Sequence, residues 1–407
     1  MRILLLTQLF QPEPNQLKGL DFARELERRG HEVEVLTGFP NYPKGRIYPG
    51  YRQKFLFKEF LSGISVIRVP VYPSHNRSGF ARALCYLSFA VTSVFPGLFG
   101  IRRPDVVHVY QGPATLALPA MFLRLVLGVP YVLDIQDLWP DSVGSSGMMK
   151  AGWLMAILRA WSRLTYSLAR RILVLSPGYK AALAGRGVEA QKVDIVYNWS
   201  DESPIAEPCG LERIRTRVRR DGFFNVVYAG NVGPVQALGS VIEAAEILER
   251  KGAKIRFVFV GDGADLDNLK NRARTLALTN IDFIPRQPRD LARGYIRVAD
   301  AVLVHLKDDD LGRLGIPQKT QAYMAAGRPI IMAVRGDAAE LVRKADAGFL
   351  CEPEDPVSIA SAVERLSSLP EEERERYGRN GRDFYYENLS FRAGVERTLA
   401  AYRESVR

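Results

Sequence analysis

Short apolar, β-branched runs alternate with longer stretches of helical periodicity along nearly the whole chain, and few folds accommodate that rhythm. In the first half the runs are residues 2–7, 32–37, 64–69, 105–110, 131–135, 171–176 and 193–197. Helical stretches lie between most of them, at 17–29, 80–95, 114–127, 152–169 and 177–185. Strands separated by helices pair in parallel, because the crossover returns the chain to the same end of the sheet. The runs are almost wholly apolar, as strands covered on both faces must be. Residues 201–222 break the rhythm with Pro204, Pro208 and a cluster of arginines, and read as a linker. The pattern restarts with strands at 224–229, 255–260, 281–284, 301–305 and 330–334, and helices at 241–251 and 265–277. The expectation is α/β: two Rossmann-like domains, 1–200 and 223–389, with a helix of about 390–407 able to pack back on the first. Parallel sheets facing a central cleft would gather ligands at their strand C-termini.

A chain of 407 residues suits two domains of this kind. Its net charge of +11 is uneven: residues 1–200 hold 24 lysines and arginines against 13 acids, whereas 201–407 hold 32 of each. One half therefore carries the whole excess, which points to an anionic partner. An anionic membrane surface or a phosphate-bearing lipid accounts for this at least as well as nucleic acid, for which the chain has no basic arm and no recognised module. Cys85, Cys209 and Cys351 are odd in number and lack metal-ligand spacing, which suits a reducing compartment. The apolar start RILLLT is too short for a signal peptide, so a cytoplasmic location is expected.

The uncharged run at 83–101 has the length of a membrane span. Pro96, Gly97 and Gly100 interrupt it, and Arg77, Arg82, Arg102 and Arg103 flank it. A helix lying in the membrane surface, with Leu87, Phe89 and Val91 toward lipid, fits better than a span, beside the plain alternative of a buried domain helix.

The stretch GIPQKTQAYMAAGRPII, 315–331, carries the clearest chemistry. Pro317 sits where a helix begins, Gly327 where it ends, and Ile330 opens a buried strand. Free N–H groups and the helix dipole make such a start a seat for an anion, and Lys319 adds a full charge one turn in. Asp137, in DIQDLWP, follows a strand end and reads either as a partner for a substrate hydroxyl or as a turn cap. His108 lies within an apolar strand and reads as a satisfied core residue. Asp308, Asp309 and Asp310 form an acidic loop without fixed metal geometry.

Taken in order, ELERRGHEVEVLTGFPNYPKG, DIQDLWPDS, VYNW, YAGNVG, VGDGADLDNL and IPQKTQAYMAAGRPI resemble the retaining glycosyltransferases of family 4, with the two-domain GT-B fold. GFPNYPKG and DIQDLWP resemble a narrower subgroup that transfers N-acetyl-L-fucosamine in O-antigen and capsule assembly. The resemblance implies a UDP-sugar donor held by the C-terminal half and a polyprenyl-diphosphate-linked saccharide acceptor at the inner face of the cytoplasmic membrane. Gly230, Asn231 and Gly233 would approach the phosphates, Gly261 and Gly263 would line the nucleotide pocket, and Ile284 to Arg286 would hold the base. Pro317, Gln318, Lys319, Thr320 and Gln321 would cradle the diphosphate and ribose, with Lys319 and Asp137 as catalytic residues. Leu314 and Ala322 stand where the family usually has two glutamates, so ribose recognition would fall to Gln318, Gln321 or the 308–310 loop. Pro12 to Gln16 replace its N-terminal Gly-Gly loop, leaving Asn15 and Gln16 for phosphate contacts. The implied mechanism is front-face attack, with a diphosphate oxygen accepting the acceptor's proton and no metal or cofactor required. A UDP-sugar 2-epimerase of the same fold, or a non-enzymatic basic nucleic-acid-binding protein, is the alternative.

Overall fold

The computed structural model describes all residues except 15–16, 75–78, 142–151, 204–208 and 219–221. It comprises one unit of Met1–Tyr197 with Val395–Arg407 and a second of Asn198–Gly394. The first is built on eight strands: β1 (Arg2–Leu6), β2 (Glu32–Gly38), β3 (Phe57–Leu61), β4 (Ile64–Val69), β5 (Val106–Gln111), β6 (Tyr131–Ile135), β7 (Arg171–Val174) and β8 (Val193–Ile195). They lie in the order β3-β4-β2-β1-β5-β6-β7-β8. All pair in parallel except β3, which runs antiparallel to β4 across a turn at Ser62 and Gly63, both with positive φ. The sequence reading missed β3 because Phe-Lys-Glu-Phe-Leu is an edge strand with few buried positions.

Direction of travel across this sheet decides which face each helix covers. The connection from β1 to β2 runs one way, and those from β4 through β8 run the other. With right-handed crossovers, Leu20–Arg28 covers one face, while Gly79–Thr92, Leu118–Leu127, Gly152–Leu168 and Pro177–Gly185 cover the opposite face. The terminal helix Phe391–Val406 brings Tyr402 edge-on to His108 at 5.7 Å, and Phe22 of Leu20–Arg28 lies 5.9 Å from the same ring. That helix therefore shares the Leu20–Arg28 face. The stretch 80–95 is shortened by Pro96: the helix ends at Thr92 and a wider turn runs Pro96–Gly100. Its inner side is core. Phe89 is fully buried, against the expectation that it faces lipid, because only Leu87 and Val91 of that trio point outward.

The second unit has six strands, all parallel: β9 (Phe224–Asn231), β10 (Ile255–Asp262), β11 (Ile281–Ile284), β12 (Ala301–His305), β13 (Ile330–Ala333) and β14 (Gly348–Leu350). Their order is β11-β10-β9-β12-β13-β14. Phe224 and Val226 of β9, Ile255, Phe257 and Phe259 of β10, and Ala301 and Leu303 of β12 pack under the helices Gly239–Arg250 and Pro356–Ser368. The stretch read as a linker contains a helix, Cys209–Val218, belonging to this unit. Ile214 and Val218, four apart, are both buried. A ten-residue helix whose sequence holds three arginines and few apolar residues presents little apolar signal, which is why the stretch reads as a linker.

At the heart of the first unit Lys18 Nζ meets Asp134 Oδ2, with the two side chains 1% and 0% exposed. Asp134 also accepts from Gln136 Nε2 at 2.8 Å, and His108 Nε2 lies 3.3 Å away. Burial works to raise the Asp134 carboxyl, but Lys18 and His108 hold it below its ordinary value. A buried pair of this kind contributes little net stability, yet losing one partner strands the other. Lys18→Met should therefore cost about 3–5 kcal/mol, and the double variant Lys18→Met with Asp134→Leu should recover much of it. Urea unfolding checks this; equal losses in both variants would rule out a stranded charge as the cause.

Candidate active site

The strand order of the second unit reverses between β9 and β12, which opens a crevice at their carboxyl ends. Pairing of β9 with β10 continues to Gly230–Gly261 and Asn231–Asp262, so both chains leave the sheet in contact. Three glycines there have different reasons to be glycine. A Cβ on Gly261, whose φ is +157°, would lie 1.9 Å from the Gly230 carbonyl oxygen. One on Gly263 would lie 2.1 Å from that of Val232. Both positions are explained by backbone packing alone. Gly230 (φ +148°) differs, because among the described residues a Cβ there would meet just the Lys319 side chain, Nζ at 3.5 Å and Cε at 3.6 Å, in ordinary contact.

Lys319 is the centre of this crevice. Its ammonium donates to Tyr228 Oη at 2.5 Å and sits 3.8 Å from the centre of that ring. Tyr228 Oη in turn donates to the Asn231 carbonyl at 2.6 Å, and Tyr323 Oη accepts from Ala229 N at 2.9 Å. Neither tyrosine was singled out from sequence. Among the described residues no carboxylate forms an ion pair with Lys319. Protein atoms enclose the ammonium on most sides although some solvent access remains, and this burial pulls its pKa down to about 7. A cation held here without a counter-ion gains from any anion that enters.

The helix Gln318–Ala326 starts at Pro317, which provides no side-chain cap, and ends at Gly327 in the left-handed conformation (φ 67°). Thr320 N closes the first turn on the Pro317 carbonyl at 2.8 Å, which leaves the N–H groups of Gln318 and Lys319 at the helix start to face an anion. Gln318 is exposed and Thr320 is buried. Gln321 is also buried, and its amide nitrogen, assigned from the hydrogen-bond pattern, donates to the carbonyls of Pro317 (2.7 Å) and Gln318 (3.2 Å). It secures the helix start, and its amide nitrogen is already engaged there. Asn231 Nδ2 and Gly233 N both donate to Gln236 Oε1, at 2.9 and 3.0 Å. His305, at the end of β12, ties two loops together: Nδ1 meets the Gln236 carbonyl at 2.8 Å, and Nε2 accepts from Glu354 N at 3.1 Å. Burial lowers its pKa to about 4, so it is neutral and structural. On β11, Ile284 is buried while Arg286, just beyond, is exposed.

The acidic loop is committed elsewhere. Asp308 receives Arg313 at 2.7 and 2.9 Å and Arg335 at 2.8 Å, while Asp309 caps the helix Asp310–Leu314 by accepting Gly312 N at 2.7 Å. Among the described residues no three His, Cys, Asp or Glu side chains are grouped to hold a metal ion.

In the first unit Asp137 is exposed just past β6, and partial enclosure by its loop raises its carboxyl above the ordinary value. Tyr86, Tyr110 and Tyr179 all lie within its electrostatic reach. Asn15 and Gln16 lie outside the described residues. Glu13, just before them and not anticipated, is buried and accepts N–H bonds from Asn41 and Tyr42 at 2.8 Å and from Phe10 at 3.2 Å. It locks residues 12–14 to FPNYP. His108 is buried as expected but is not satisfied: neither ring nitrogen makes an aligned hydrogen bond.

Comparison with known proteins bears on these two sites. The family described as "Glycosyl transferase 4-like domain" matches residues 20–199, and that described as "Glycosyl transferases group 1" matches 212–384. Escherichia coli WcaI, a putative colanic acid biosynthesis glycosyl transferase, is 27% identical over 91% of this chain and 90% of its own. Pseudomonas aeruginosa WbjE, a probable glycosyltransferase, is 28% identical over 66% of this chain and 67% of its own. Among solved structures, Anabaena Alr3699/HepE in complex with UDP and glucose superposes with a TM-score of 0.67 at 14% identity, covering 99% of each chain. The Escherichia coli trehalose-6-phosphate structure bound with UDP-2-fluoro glucose gives 0.72 at 14% identity, again covering 99% of each. These likenesses show the fold, two Rossmann-like domains of GT-B architecture.

The glycine geometry separates packing from ligand contact. Gly261→Ala should destabilise by several kcal/mol, since the backbone must shift to admit the Cβ. Gly230→Ala should cost only about 1–3 kcal/mol of backbone strain yet abolish binding of a nucleotide diphosphate. Thermal melts with and without UDP distinguish the two; undiminished UDP stabilisation of the Gly230 variant would remove that glycine from the site.

Proposed function

The chain belongs to the group 1 glycosyltransferases, which are retaining enzymes, and from that premise we propose that it moves a sugar from a UDP-sugar to a polyprenyl-diphosphate-linked saccharide. The observation that carries the reading is Lys319: an enclosed ammonium with no ion-pair partner among the described residues, beside an uncapped helix start and against Gly230. A nucleotide diphosphate has the charge and the size to fill that gap. The UDP in structural neighbours and the polysaccharide role named for WcaI support the donor class and the surface-polysaccharide setting. N-acetyl-L-fucosamine is the sugar favoured by the GFPNYPKG and DIQDLWP segments.

In this reading the diphosphate oxygens lie against Gly230, Lys319 and the first N–H groups of the helix Gln318–Ala326. As the bond to the anomeric carbon stretches, negative charge grows on the departing oxygen, and Lys319 and the helix dipole stabilise it. Asp137, in the first unit, orients the acceptor hydroxyl; its proton passes to the leaving diphosphate. The acceptor's own diphosphate and lipid place the enzyme on the cytoplasmic face of the membrane, where the charge excess of residues 1–200 favours an anionic surface.

Lys319→Ala should lower turnover about a hundredfold, near 3 kcal/mol of transition-state stabilisation, with little change in folding. Because the free ammonium titrates at about 7, affinity for a UDP-sugar should fall as pH rises through that value. Lys319→Arg should flatten this profile by keeping its charge. Calorimetric titration across this range tests both, and a wild-type affinity indifferent to pH would detach Lys319 from the phosphates. Asp137→Asn should raise the acceptor KM or lower kcat while leaving UDP-sugar affinity intact. Steady-state kinetics with each substrate varied would show otherwise if donor binding moves instead.

A further inference from the structure

Three helical segments lie side by side on one face of the first unit's sheet: Gly79–Gly100, Leu118–Leu127 and Gly152–Leu168. Their continuity is structural. The helix Leu118–Leu127 packs on both of the others, and Trp161 Nε1 donates to the Ala114 carbonyl at 2.9 Å. The outer side is apolar along all three. Phe80, Leu87, Val91, Phe95 and Phe99 are more than half exposed on the first, Leu125 and Val126 on the second, Trp153 and Ile157 on the third. Phe95 sits 5.0 Å from Phe99 and 5.7 Å from Phe55, forming an aromatic cluster open to solvent. A soluble monomer rarely leaves so extended an apolar surface uncovered.

Charge on this face has one sign. The three segments contain Arg82, Arg124, Arg159 and Arg163 and no acidic residue. Where the helix Gly152–Leu168 ends, Arg124, Arg163, Arg170, Arg171, Arg186 and Lys192 surround a cavity of about 860 Å³ against Glu189 and Glu404. Arg171 is paired with Asp194 and Glu404, and Arg186 with Asp141. Among the described residues Arg124, Arg163 and Arg170 have no ion pair. Lys192, anchored on the Tyr166 and Ser167 carbonyls at 2.7 and 2.8 Å, is pushed below its ordinary pKa, first by burial and then by Arg170 and Arg124.

We propose that this three-helix face is the surface on which the first unit docks to an anionic lipid bilayer, with lipid phosphates seated in the arginine cavity at its edge. Apolar side chains enter the acyl boundary while the cations stay at headgroup level, as aromatic and arginine side chains prefer. Charge complementarity selects the occupant: a protein partner would have to match a wide apolar area and an uncompensated positive cluster together, whereas an anionic bilayer presents both as one surface. The proposal extends the membrane-bound acceptor reading, but its test uses vesicles that contain no acceptor, so the two can fail separately.

Co-sedimentation of the full chain with mixed phosphatidylglycerol–phosphatidylcholine vesicles is the measurement. The expected result is binding that weakens with salt yet persists in part, and that is weak on phosphatidylcholine alone. The triple variant Leu125→Ser, Val126→Ser, Ile157→Ser should lose the salt-resistant part. Arg163→Glu with Arg170→Glu should lower binding at low salt by about tenfold or more. Thermal melts confirm that each variant folds. Absence of vesicle binding at low salt, or binding unchanged in the serine variant, overturns the proposal. So does a dimer in sedimentation velocity that the serine substitutions dissolve, because the face would then belong to a second copy.

Discussion

Backbone contact between Gly261 and Gly230 is the constraint on which the donor-side site rests. No side chain fits between these strands at that level, so β9 and β10 stay paired to their last residues and release their loops together. That close approach sets the Asn231 carbonyl where Tyr228 can reach it, and Tyr228 in turn holds Lys319. A helix start and an ammonium, each commonplace alone, become one anion site because a glycine contact at the end of β9 positions both. His305 and Gln236 serve the same end from β12, pinning the loop that follows Gly233.

Two buried lysines show how partnering separates structure from chemistry. Lys18 is as deeply buried as a residue can be, but Asp134 neutralises it, and its removal would be felt as lost stability. Lys319 pairs with a phenol and, among the described residues, with no carboxylate; burial pulls its pKa down to about 7, well below a free lysine near 10.5. At roughly 1.4 kcal/mol per pKa unit, holding it charged costs several kcal/mol, which an arriving anion offsets. The first cation is satisfied by the fold. The second is satisfied by substrate.

Charge is also partitioned between the faces of the first sheet. One face receives the C-terminal helix and the Leu20–Arg28 helix, whose ion pairs, such as Glu25 with Arg28 and Arg29, balance locally. The other receives helices with arginines and no acids, and it is the face with exposed phenylalanine, leucine and tryptophan. Four of the basic residues counted along residues 1–200, Arg82, Arg124, Arg159 and Arg163, thereby lie in helices that also expose apolar side chains.

Much of this architecture was legible in sequence, because a parallel sheet buried on both faces writes continuous apolar runs that cannot be mistaken for loops. Some of the elements missed bury little: β3 at an edge, β14 with three residues, and the arginine-rich helix Cys209–Val218; the helices Arg289–Val298 and Pro356–Ser368, each with a buried side, were not singled out either. Pro317, Lys319 and Gly327 identified the anion-seating helix, since capping chemistry is local. The partners of Lys319 were not legible, because Tyr228 lies 91 residues away and only strand order brings it near. Nor could sequence distinguish Gly261, excluded from a side chain by a carbonyl, from Gly230, where a Cβ would meet the Lys319 side chain in ordinary contact. Glu13 gave no sign that its carboxylate would bind the backbone of Asn41 and Tyr42. Sequence by itself determined the periodicities, the caps and the net charge, which depend on neighbours along the chain. Tertiary structure alone decided which charges found partners, which glycines were forced and which side of an apolar helix stayed exposed, because each depends on atoms far apart in sequence competing for the same space.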